Sequence, residues 1–139
     1  MAVPSGTTLI SRALVVTLKG NANLKTALTG GMHEGLAPDG TKYPFLVYNL
    51  HYGSIQAGWG FADVVAGYDV FVYSRDQVEA RNLDQLVHET LWDAALNVTG
   101  QSTLYCRRSL EMSSVDVDEQ GQKVYQVGGL YVISTYQTL

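Results

Sequence analysis

A chain of 139 residues fits one domain and can bury roughly 70% of the surface its unfolded form would expose, so it needs neither a metal nor a disulfide to fold. Its formal net charge of −4 argues against a protein that coats nucleic acid, and its single cysteine, Cys106, excludes an internal disulfide framework and fits a reducing compartment. Charged residues make up 16% of the chain, against a usual share of about 25%; because interface cores are depleted in charge, the composition favours an assembly subunit over a free monomer.

Met1 to Gly6 lacks a basic region followed by a sustained apolar run, so no secretory signal is expected, and no apolar run approaches the ~20 residues of a membrane span. From Thr7 to Leu18 the positions Leu9, Ile10, Ala13, Leu14, Val16 and Leu18 have mostly helical spacing, with Ser5 or Thr7 to cap the start and Gly20 to end it. Asn21 to Leu28 reads as a second short helical turn, stopped by Gly30-Gly31. Such a helical layer must cover something apolar, and the strands downstream supply it.

Pro38-Asp39-Gly40 combines a fixed φ, an Asx-type side chain and a residue that tolerates positive φ, which favours a tight turn. Pro44 then opens a strand over Phe45 to Tyr52, the position in a strand where proline is best tolerated. Gly58-Trp59-Gly60-Phe61 predicts a hairpin or projecting loop before a second strand, Val64 to Tyr73. That strand places Tyr68, Val70 and Val72 on one face and Asp69, Phe71 and Tyr73 on the other; aromatics on both faces put it in a sandwich or beside a neighbouring subunit.

Ser74-Arg75-Asp76-Gln77 offers a capping box with Ser74 as the cap. The helix it opens should run to about Leu96, burying Val78, Leu83, Leu86, Val87, Leu91, Ala94 and Ala95 and leaving Arg75, Glu79, Asp84, Gln85 and Asp93 to solvent or a partner, with Trp92 peripheral. Two strands follow, Thr103 to Leu110 and Lys123 to Thr135, joined by Ser113 to Gly121 into a long antiparallel arm in which Gly128-Gly129 permits a bulge or close backbone approach. The expected fold class is α+β: a mainly antiparallel sheet, helices packed on one face, and a long β-hairpin arm, in a single domain spanning 1–139.

Catalytic chemistry would need a nucleophile, a base and a stabiliser for developing charge, and the sequence offers these only as scattered single residues. His88-Glu89 starts like a zinc-protease motif, but Trp92 stands where the second histidine belongs. His33 and His51 fit strand-end histidines better than a catalytic pair. Asp116, Asp118 and Glu119 lack the spacing of a calcium loop and read as an acidic hairpin tip. No phosphate loop is present. The chain is therefore expected to be no enzyme, with no cofactor and no metal.

The pattern carried by Ala37, Pro38, Gly40, Thr41, Pro44, Val47 and Tyr48, together with the order of elements over nearly the whole chain, resembles the tail-terminator, or tail-completion, proteins of long-tailed bacteriophages. The resemblance implies a structural virion subunit at the head–tail junction, assembled in the bacterial cytoplasm. It forms a ring, usually a hexamer, that caps the head-proximal end of the tail tube, ends tube polymerisation and provides the head-tail joining surface. Its implied partners are its own copies, the tail tube protein and the head completion or connector protein, with no membrane; DNA passes through the lumen without sequence-specific binding. On that plan Trp59 and Phe61, paired aromatics on a glycine-rich loop that are costly to leave in water, are the expected interface anchor. Asp116, Asp118 and Glu119 are expected to face the lumen or the adjoining ring. The rival from another class is a ferredoxin-like nucleic-acid- or small-ligand-binding module. Its nucleic-acid form needs basic and aromatic residues together on central strands, whereas Tyr68-Asp69-Val70-Phe71 brings an acid.

Overall fold

The computed structural model describes residues 6–58 and 61–138. α1 (Gly6–Lys19) buries Ile10, Leu14 and Leu18, which recur every four residues and form one stripe. Gly20 ends it, donating its N–H to the carbonyls of Val16 and Thr17. Asn21 caps α2 (Ala22–Ala27) by accepting from the Leu24 N–H at 3.1 Å, and its amide donates to Thr90 Oγ1 at 2.8 Å, which ties the short helix to α3 (Gln77–Leu91).

The remaining elements make one five-stranded sheet of spatial order β1-β2-β3-β5-β4. β1 (Met32–Glu34) lies parallel to the first residues of β2 (Phe45–Gly58), pairing only with Leu46, Val47 and Tyr48. β2, β3 (Phe61–Ser74), β5 (Lys123–Thr138) and β4 (Ser102–Val117) are antiparallel neighbours. The fold is thus α+β, as the element pattern predicts. The expected alternation in β3 holds: Val64, Ala66, Tyr68, Val70 and Val72 are buried under α1 and α3, together with Tyr131 and Ile133 of β5. Tyr68 fastens α1 to this face, its hydroxyl donating to the Thr7 carbonyl at 2.9 Å and lying 2.6 Å from Ser11 Oγ.

The Pro38 turn forms as expected, with Thr41 N–H donating to the Pro38 carbonyl at 3.1 Å and Gly40 at φ +80°. Pro44 follows a cis peptide bond and delivers the chain into β2, and its carbonyl accepts from Gly30 N–H at 2.9 Å.

Several boundaries differ from the sequence reading. Asp76, not Ser74, caps α3: its carboxylate accepts from Val78 N–H at 3.2 Å, while Ser74 Oγ accepts from Asp76 N–H and donates to Glu79 at 2.7 Å. The helix stops at Leu91, short of Leu96. Asp93 takes φ +51° and its N–H donates to the Cys106 carbonyl at 2.8 Å, so the chain leaves the helix to lie along β4, where Leu96 and Val98 are buried without helical structure. Val78 is 64% exposed because the buried stripe runs through Ala80, Leu83, Val87 and Leu91, and a residue two before Ala80 points away from it. β2 continues past Tyr52 to Gly58. β4 continues past Leu110 to Val117, so that most of the Ser113–Gly121 connection is strand, and the arm is built into the sheet because β5 also pairs with β3 along its length.

Candidate functional site

The helices leave the second face of the sheet open, and alternate residues of four strands project from it. Phe45, Val47, Phe71 and Tyr73 come from β2 and β3, Leu130 and Val132 from β5, and Leu110 and Met112 from β4. At one end of this face three rings form a ladder: Tyr43 and Phe45 have centroids 5.1 Å apart, and Phe45 and Tyr73 stack at 4.9 Å. Arg75 lies over the Tyr43 ring at 4.5 Å and reaches Asp118 with Nη2 to Oδ2 at 2.7 Å. The resulting recess, about 270 Å³, has an aromatic wall and a carboxylate wall contributed by Asp116 and Asp118.

The three acids of the hairpin end have different settings. Asp118 folds the turn, its Oδ1 accepting from the N–H groups of Gln120 (3.0 Å) and Gln122 (2.9 Å). The Gln122 N–H, then Arg75, hold its carboxyl below the usual range. Asp116, on the open face, accepts from its neighbour Val117 N–H at 2.8 Å, and Glu119 stands exposed at the tip. At the opposite end, the ladder between β2 and β3 runs out to Gly58 and Phe61. Trp59 lies outside the described residues, and of Phe61 only the backbone is described.

A groove of about 640 Å³ separates α3 from the outer half of β4. Its floor holds a buried ion pair the sequence reading did not anticipate. Arg108, whose side chain is 5% exposed, meets Asp84 through Nη1 (3.0 Å) and Nη2 (2.5 Å) and lies over the Tyr131 ring at 4.9 Å. Burial works against the guanidinium charge; hydrogen bonds and charge attraction from Asp84 and Tyr131 together outweigh it and raise the Arg108 pKa. Asp84 therefore does not face solvent.

His33 contacts the Gly30 carbonyl at 2.7 Å, whereas His51 meets Asp69 at 3.0 Å, so the two histidines have separate partners. Trp92 is half exposed beside His88 and Arg107. Cys106 is fully buried, and burial pushes its thiol up to about 12. Among the described residues no three His, Cys, Asp or Glu side chains converge as metal ligands, and no helix is long and apolar enough to cross a membrane.

Sequence reasoning also missed the bare strand edges. On one side, β1 covers β2 only through Tyr48, leaving Asn49–Gly58 without a strand partner among the described residues. On the other, the segment after α3 covers β4 as far as Arg107, through Asp93 N–H to Cys106, Thr103 Oγ1 to the Leu96 carbonyl at 2.8 Å and Arg107 to Asp93 at 3.0 Å. From Ser109 to Val117 every residue of β4 is exposed, including Leu110, Met112, Val115 and Val117.

No family model and no curated protein matches the sequence. Among solved structures the fold is similar to that of a chain in the virion of a native gene transfer agent (GTA) particle. The TM-score is 0.72, the match covers 96% of this chain and 99% of the other, and 12% of the aligned residues are identical, so what the two chains demonstrably share is the fold.

Proposed function

We propose that this chain is a structural virion protein of the tailed-phage kind. Its copies form a ring that caps the head-proximal end of a tail tube, ends tube polymerisation and presents the surface for joining the head. The observation that carries this reading is the end-to-end fold likeness to a virion chain: each chain is matched over almost its whole length. The open apolar sheet face and the bare edges support it, since exposed apolar surface and unpaired strand edges are costly in a free monomer and natural in an assembly. In this role the work is mechanical, with no catalysis, and a weakly acidic chain suits a duct through which DNA must slide without being held.

Electron cryomicroscopy of particles or co-expressed tails containing the chain tests the proposal. The expected result is a single ring at the head-proximal end of the tail. Stacked rings along the tube would make it a tube protein instead, and absence from particles would reject the virion role.

A further inference from the structure

We propose that copies of this chain join head to tail through their strand edges, the outer half of β4 (Ser109–Val117) of one copy pairing antiparallel with the free half of β2 (Asn49–Gly58) of the next. This deepens the ring reading and rests on it. The first ground is backbone chemistry. Both segments present a row of N–H and C=O groups with no strand partner among the described residues, they are of nearly equal length, and neither contains the lysine or proline that blunts an exposed edge. The chain covers the remainder of β2 and β4 itself, with β1 on β2 and the segment after α3 on β4, so that, apart from the three-residue outer edge of β1, these two halves are the strand edges left open among the described residues.

The second ground is direction. β2, β3, β5 and β4 alternate in sense, so a further β2 placed beside β4 by rotation or translation of the whole subunit is antiparallel without inverting it. Repeating that contact is heterologous and closes into a ring where the rotation allows it. The third is charge. The free half of β4 carries Glu111 and Asp116 and no cation, so pairing β4 with β4 across a two-fold axis would gather four carboxylates. The free half of β2 carries no acid, and its His51 already meets Asp69 of β3, so the heterologous contact avoids that crowding of carboxylates. Matching the open faces of the two strands sets Ser114 opposite Ser54 and Asp116 opposite Tyr52.

The test uses two full-length single-substitution variants, Ser114→Cys and Ser54→Cys, purified separately; native Cys106 is buried and stays out of the reaction. After mixing and mild oxidation, a disulfide-linked dimer should form in the mixture and be largely absent from either variant alone. The double variant should give a ladder of linked species that stops at the ring number. Met112→Cys, one same-face step along β4, covers a two-residue shift of register. A dimer from Ser114→Cys alone would show the two-fold contact and overturn the proposal. So would the absence of mixed dimers with both β4 positions, whether or not light scattering detects oligomers. Failure of the ring reading is separate: microscopy would then find the chain away from the tail end, whereas a tail-end ring whose subunits meet elsewhere rejects the edge pairing alone.

Discussion

Arg108 and Asp84 lie twenty-four positions apart in sequence and form a two-pronged ion pair where β4 crosses α3. Removing one partner of a buried pair strands the other charge, so Asp84→Asn should lose roughly 3–5 kcal/mol in urea unfolding. The exposed pair Arg107–Asp93 gives the contrast: Arg107→Ala should cost no more than about 1 kcal/mol. Cys106 supplies a pH-dependent prediction. Burial, then the Asp93 charge, raises its folded pKa from an ordinary 9.0 to about 12. The neutral thiol therefore contributes stability that is complete below the unfolded value and lost as pH rises toward the folded one. Titrated from neutral pH upward, the stability advantage of the native chain over Cys106→Ala should shrink across that window. At neutral pH the thiol should react with a disulfide reagent only after denaturant is added.

At the scale of elements, the middle of β5 is the most constrained stretch. A Cβ on Gly129 would stand 2.1 Å from the Leu110 carbonyl, and one on Gly128 would stand 2.1 Å from the Val70 carbonyl. The ladder between β4 and β5 also slips at Arg108/Leu110, across from Tyr131 and Leu130 and one step from this pair. Gly129→Ala should cost about 1–3 kcal/mol, measured as a lowered denaturation midpoint, because backbone and not a movable side chain must give way. The Gly-Gly dipeptide was legible as a site of close approach, as were the helices, the turn after Pro38 and the two-faced β3, since each rests on local periodicity or turn chemistry. The ends of β2, α3 and β4 were not. Tertiary contacts set them: β3 pairs with β2 out to Gly58, Asp93 reaches Cys106 across the chain, and Ser113 to Val117, polar or β-branched, take strand form because β5 lies alongside.

For the molecule as a whole, the sequence held the fold class and the two hairpin ends as places of interest, but not the bare edges. An edge is defined by what fails to pair with it, and that becomes visible only once strand order is known. The Arg75–Asp118 contact has a consequence of its own. It ties the turn between β4 and β5 to Arg75, which lies between the end of β3 and the Asp76 cap of α3, at the opposite end of the sheet from the Gly58/Phe61 pair. Because this pair is partly exposed, salt screens it, so high ionic strength should loosen that corner of the molecule while the β4–β5 ladder stays formed.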